Sequence, residues 1–173
     1  LYLKKRILEF RHTPGHADHH FCIWDQVSHG WFSGDTFGIS YEQIGDKLNR
    51  FIFPTTSPVQ FDPDKLLRSI DLIMEYKPKQ IFLTHYSVIK EPAKKAKILR
   101  EQIESYREIA NELRFSSNRE EEIFTAIKVM TLSNIASKFP CHDIKMVEEL
   151  LELDFKLNAQ GIDIWISKQN EKN

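Results

Sequence analysis

Five of the seven histidines, His12, His16, His19, His20 and His29, fall within residues 7–38, ILEFRHTPGHADHHFCIWDQVSHGWFSGDTFG. Neutral imidazole nitrogen and carboxylate oxygen are the usual protein ligands of zinc and non-haem iron, so imidazoles gathered near Asp35 point first to a metal site. The elements that must position them follow from the pattern. Ile7, Leu8 and Phe10 suggest a strand, and Pro14-Gly15 a tight turn that delivers His16. Two short apolar strands follow, over 21–24 and 31–32, joined at Gly30. The second runs into Gly34-Asp35, which presents a carboxylate where a sheet edge meets a loop.

Further along, residues 36–61 form an irregular segment carrying Phe37, Tyr41, Phe51, Phe53, Pro54, Thr55, Thr56 and Pro58. It is longer than most connections in compact domains, which makes it either a lid or substrate wall beside a site or a surface loop pinned by its aromatics. Asp62-Pro63 has the form of a helix N-cap followed by proline at the first helical position. Leu66, Ile70, Ile73 and Met74 then share one helical face, and Lys77-Pro78 stops the helix. Ile81, Phe82 and Leu83 make a short buried-type strand that delivers His85. Strand, helix, strand with candidate ligands at strand ends is an α/β pattern.

From Glu91 onward the pattern is helical. Ile98 or Leu99, then Ile103, Tyr106, Ala110 and Leu113 form one apolar stripe. Ser117 with Glu120 resembles a capping box before Ile123, Ile127 and Met130, and Phe139-Pro140 ends that helix. A further amphipathic stretch carries Val147, Leu150, Leu151 and Phe155, and 157–166 continues as helix with Gly161 a weak point in it. The expected organisation is an α/β unit over 1–90 and an α-helical region over 91–173, whose charges, such as Arg119-Glu120-Glu121-Glu122, form a solvated face.

Composition narrows the function classes. With 173 residues, 41% hydrophobic and 28% charged, the chain suffices for one domain plus an appendage. A net charge of -1 and a pI near 6.7 give no electrostatic footprint that favours nucleic acid. Cys22 and Cys141 match no metal or redox spacing, and reduced thiols in a cytoplasmic protein are the expectation. No run of about 18 apolar residues marks a membrane span. The sequence begins Leu-Tyr-Leu-Lys-Lys and enters a strand almost at once, as expected of a chain that starts inside a domain.

Three motifs carry a resemblance. His12-Thr13-Pro14-Gly15-His16 is followed by Ser33-Gly34-Asp35, and then by Leu83-Thr84-His85, each at the end of an expected strand. In that order they resemble the second half of a metallo-β-lactamase-fold hydrolase. The likeness covers about residues 1–90, and the PTTSPVQFDP stretch with the helical tail is also similar to a glyoxalase II-like branch.

The resemblance implies the C-terminal half of an αββα sandwich followed by a helical appendage. Residue by residue, His16 matches the third histidine of the first metal site, Asp35 the carboxylate bridging both metals and serving catalysis, and His85 the last histidine of the second site. It further implies two divalent metal ions per full domain, zinc first with iron or manganese as alternatives. The implied activity is hydrolysis of a small-molecule ester, thioester or lactone. His12 and His20 are expected to orient ligands rather than bind metal. His19, His29 and His142 are expected to be surface or structural residues.

The family's first motif, His-x-His-x-Asp-His, is absent. Residues 14–19, Pro-Gly-His-Ala-Asp-His, fit its last four places but place proline where the first histidine belongs, and the spacing to Gly34-Asp35 and His85 suits the later motif. Either the sequence is the C-terminal part of a longer metallohydrolase, or it is a metal-poor, catalytically inactive relative acting as an interaction module, with self-association through the helical tail.

Overall fold

The computed structural model describes residues 1–4, 6–46, 49–85 and 87–171. Lys5, within the first expected strand run, and residues 47 and 48, within the 36–61 segment, lie outside the described residues. Among the described residues are six strands: β1 (Tyr2–Leu3), β2 (Arg6–His12), β3 (Phe21–Asp25), β4 (Gly30–Phe32), β5 (Gln80–Leu83) and β6 (Ser87–Ile89). They form one sheet in the order β1-β2-β3-β4-β5-β6. Neighbours are antiparallel except β4 and β5, which are parallel with Trp31 opposite Ile81. A parallel pair needs a long crossover. Residues 36–61 and helix α1 (Pro63–Glu75) supply it.

Strand alternation divides the sheet into two unlike faces. Cys22, Trp24, Trp31, Ile81, Leu83 and Ile89 point into the core. Phe10, Ile23, Phe32, Phe82 and Val88 pair across β2 to β6 on the other face, with Phe32 stacked on Phe82 and still 46% exposed. The inner face is covered by α1, on which Ile73 accepts a hydrogen bond from Trp31 Nε1 at 3.2 Å. Helix α1 starts as its sequence dictates: Asp62 is the N-cap, its side chain accepting from the Lys65 N–H at 2.9 Å, with Pro63 at the first helical position.

Many of the described residues of 36–61 belong to the core. Phe37, Ile39, Ile44, Phe51, Ile52 and Phe53 are all buried, each large side chain contributing about 1.5–3 kcal/mol by leaving water. Burying so much irregular backbone requires partners for its carbonyls. Polar side chains reach in from the helices that follow: Gln102 donates to Ile52 O at 2.9 Å, Lys95 to Arg50 O, and Asn158 to Pro54 O at 3.1 Å. This segment is not a surface loop, since Phe37, Phe51 and Phe53 are interior, and residues from both its start and its end wall a cleft, as the substrate-wall expectation had it.

Three helices complete the chain: α2 (Pro92–Glu112), α3 (Arg119–Lys138) and α4 (Ile144–Glu171). Leu99, Ile103, Tyr106 and Ala110 of α2 face the core at helical spacing, as do Ile123, Ile127 and Ile135 of α3 and Val147, Leu151, Phe155, Ile162 and Ile166 of α4. These join the sheet and the 36–61 segment in one hydrophobic cluster. The capping box expected at Ser117 and Glu120 does not form. Asn118 precedes α3 without a side-chain cap, and its N–H donates to Ser116 Oγ instead. Helix α4 runs unbroken through Gly161, where a Cβ would meet Thr56 Oγ1 at 2.2 Å. The glycine is a packing contact with Thr56 rather than a break. No described helix is long and apolar enough to cross a membrane.

Candidate metal centre

The turn that presents His16 is fixed from below by α1. Gly15 has φ +132, and a Cβ there would lie 2.2 Å from the Leu66 backbone nitrogen, so only glycine lets turn and helix meet. The Asp62 N–H donates to Gly15 O at 2.8 Å and Ser69 Oγ to Pro14 O at 2.6 Å. His16 therefore projects from an anchored loop. Its Nδ1 lies 3.2 Å from Thr55 O and 2.9 Å from Thr55 Oγ1, and its Nε2 lies 3.7 Å from Asp35 Oδ2. A carbonyl oxygen can only accept, so the proton sits on Nδ1 and the Nε2 lone pair faces Asp35.

Asp35 follows Gly34, which has φ +51 and would drive a Cβ to 2.3 Å from the His20 ring. The Asp35 N–H donates to His20 Nε2 at 3.0 Å, so that nitrogen carries no proton. The His20 proton is then on Nδ1, 3.0 Å from Thr36 Oγ1, which donates in turn to Thr13 O at 3.2 Å. Burial, and next the neighbouring His16, hold His20 below the usual imidazole pKa, consistent with this neutral ring. His20 thus holds the Asp35 backbone and has no ring nitrogen left for a metal.

His85, just past the end of β5, completes the convergence, with Nε2 3.3 Å from Asp35 Oδ1. That Oδ1 is buried and takes no hydrogen bond among the described residues. Each carboxylate oxygen thus faces a different imidazole, at separations close to the ~3.4 Å edge of a tetrahedron with ~2.1 Å metal bonds. The donor set is nevertheless partial. Among the described residues no group of three or more His, Cys, Asp or Glu side chains is arranged to hold one ion. Each corner offers one imidazole and one carboxylate oxygen, whereas catalytic zinc takes three protein ligands.

The remaining histidines sit elsewhere. His12 Nε2 bonds Asp18 O at 2.6 Å, tying the 13–20 loop to β2 without reaching Asp35. His29 turns β3 into β4 at φ 48 and packs edge-on against Trp24, His142 accepts from the Gly45 N–H at 3.0 Å, and His19 is exposed. Cys22 is buried, with its thiol pushed up to about 11 by burial, and Cys141 is exposed; neither lines the cleft over His16, Asp35 and His85.

A cleft of about 280 Å³ opens over the three convergent residues. Its walls are Ile39, Tyr41, Thr55 and Thr56 from the crossover, the segment expected as a possible substrate wall, and Leu153, Asp154, Leu157 and Asn158 from α4, which the sequence did not mark. Tyr41 donates to Asp154 Oδ2 at 2.9 Å, and burial raises the Asp154 carboxyl above its usual range. A larger groove of about 760 Å³ between α2 and α3 holds none of the histidines.

Residues 3–85, 83 of the 173 residues, match the family model of the metallo-beta-lactamase superfamily. Among solved structures the chain is similar to a metallo-beta-lactamase family protein from Thermus thermophilus. The identity is 16%, over 99% of this chain and 47% of that one, with a TM-score of 0.60. An archaeal metallo-beta-lactamase superfamily protein from Sulfolobus tokodaii also matches, at 27% identity over 58% of this chain and 35% of that one, with a TM-score of 0.48. The first likeness establishes a shared α/β fold with a helical C-terminal part. The chain spans less than half the length of either structure. No curated protein matches it.

Proposed function

We propose that this chain supplies His16, Asp35 and His85 to the metal centre of a hydrolase acting on a small ester, thioester or lactone, as in the glyoxalase II-like branch. The observation that carries the reading is the Asp35 carboxylate, with its buried, unbonded Oδ1 facing His85 and its Oδ2 facing His16. Divalent metal bound there, zinc in the first instance, would bring the pKa of water down to about 7 and polarise the bond under attack. Around it, Thr55 holds His16, His20 holds the Asp35 backbone, and Ile39, Leu153 and Leu157 provide apolar walls for the substrate.

In this reading the missing donors come from outside the described residues. The apolar row Phe10, Ile23, Phe32, Phe82 and Val88 supports the same view, since contiguous exposed apolar surface calls for a covering partner. A second sheet packed on that row would complete a sandwich.

One observation favours a second reading, a catalytically inactive relative acting as an interaction module: among the described residues no complete metal group exists. Metal analysis of the full-length protein separates the two. The hydrolase reading predicts stoichiometric metal that falls sharply in His16→Ala and Asp35→Ala, with hydrolysis of a thioester, lactone or phosphodiester panel lost in parallel. Equal metal in wild type and variants leaves only the interaction module.

A further inference from the structure

Asn158 lies inside a helix, where asparagine is intrinsically unfavourable, and is only 2% exposed. Its side-chain amide makes three hydrogen bonds. Oδ1 accepts from the Thr56 N–H at 2.8 Å, and Nδ2 donates to Pro54 O at 3.1 Å and to Tyr106 Oη at 3.1 Å. One side chain on α4 therefore ties both neighbours of Thr55 to α2 and α4. Thr56 is also held by its own Oγ1, which donates to Leu157 O at 3.0 Å in the space that Gly161 leaves open.

Between those two fixed residues stands Thr55, whose carbonyl and hydroxyl both meet His16 Nδ1. An imidazole on a loop can turn about its side-chain torsions and exchange its two nitrogens. Thr55 removes that freedom only if its own backbone is held. Asn158 holds it.

We propose that Asn158 is a positioning residue for the candidate metal centre: through Pro54, Thr55 and Thr56 it fixes the His16 tautomer and aims Nε2 at Asp35. This rests on the reading of His16 as a ligand, and it makes the helical region part of the site. Carbonyl or hydroxyl partners on the non-ligating nitrogen of a metal-bound histidine raise ligand basicity, and their loss typically weakens metal binding by about 10–100-fold.

The test uses the full-length protein with Asn158→Leu, which keeps the branched side-chain shape without its polar atoms, and Asn158→Asp, which keeps the acceptor for the Thr56 N–H but loses both donors. If the leucine variant does not fold, the aspartate variant is read alone. Long-range nitrogen–proton NMR of the metal-free protein reports the His16 tautomer, and chelator competition reports zinc affinity. Expected are a single Nδ1-protonated His16 in wild type, a tautomer mixture in the folded variants and zinc affinity lower by about 10–100-fold, with Thr55→Ser behaving as wild type. A mixed tautomer with unchanged zinc affinity supports the positioning and overturns His16 as a ligand. An unchanged tautomer in a folded variant, or a mixture in wild type, overturns the proposal.

Discussion

His85 Nε2 stands 3.3 Å from Asp35 Oδ1, although the two residues lie beyond the ends of different strands and are separated in sequence by the whole crossover. The parallel pairing of β4 with β5 brings them together, since it sets the C-terminal ends of both strands at the same edge of the sheet. A site built this way is sensitive to whatever holds the crossover in place.

Gly161→Ala tests that dependence. In an exposed helix interior the change would gain about 1 kcal/mol from helix propensity. Here the added methyl meets Thr56 Oγ1 at 2.2 Å, so the sign reverses, and a loss of about 2 kcal/mol from overpacking is expected in urea unfolding. A stabilised variant would show that α4 does not press on the 54–56 segment.

The convergence of three candidate ligands was legible because they sit at strand ends in a fixed order. His16 after Pro14-Gly15, Asp35 after Gly34 and His85 after β5 are all local features, and the structure brings all three together. What was not legible depends on distant contacts. Asn158 and Asp154 have no motif or period that points to the cleft, and only tertiary packing makes them its neighbours. Gly161 looked like a weakness because its partner, Thr56, lies far back in the chain. The strand β6 escaped for the opposite reason: three residues, Ser87–Ile89, are too few to show alternation. The 36–61 segment hid its burial because no regular element satisfies its backbone; Gln102, Lys95 and Asn158 do so from the helices.

The Arg6–Asp25 pair gives a pH dependence. Asp25 is buried and receives Arg6 Nε at 2.8 Å and Arg6 Nη2 at 2.5 Å, with further N–H donors from Val27 and Ser28. The guanidinium, above all, holds the carboxyl well below its usual range. A depressed folded pKa means the contribution is complete above the unfolded titration near pH 4 and is lost as pH falls further. Arg6→Met should therefore unfold at lower urea than wild type at neutral pH, the gap narrowing below about pH 4. A gap that persists or widens in acid would show that the pair does not act through the Asp25 charge.

The apolar row on the open sheet face predicts opposite effects in two contexts. On the proposed sandwich reading, in a chain that carries the covering sheet, Phe32→Lys should cost about 2–3 kcal/mol in denaturant unfolding, because a covered phenylalanine is lost. In the 173-residue chain alone, where Phe32 is 46% exposed, the same change should leave stability nearly unchanged and reduce binding of a hydrophobic dye. Equal, small effects in both would mean that nothing covers this face.

The convergence of His16, Asp35 and His85 on bound metal is most directly tested by anomalous diffraction at the zinc edge from crystals of the full-length protein grown with zinc. The expected result is an anomalous peak within ~2.0–2.2 Å of His16 Nε2 and Asp35 Oδ2, with His85 Nε2 and Asp35 Oδ1 bound to a second. Zinc elsewhere in the molecule, with these three side chains bare, would contradict the account.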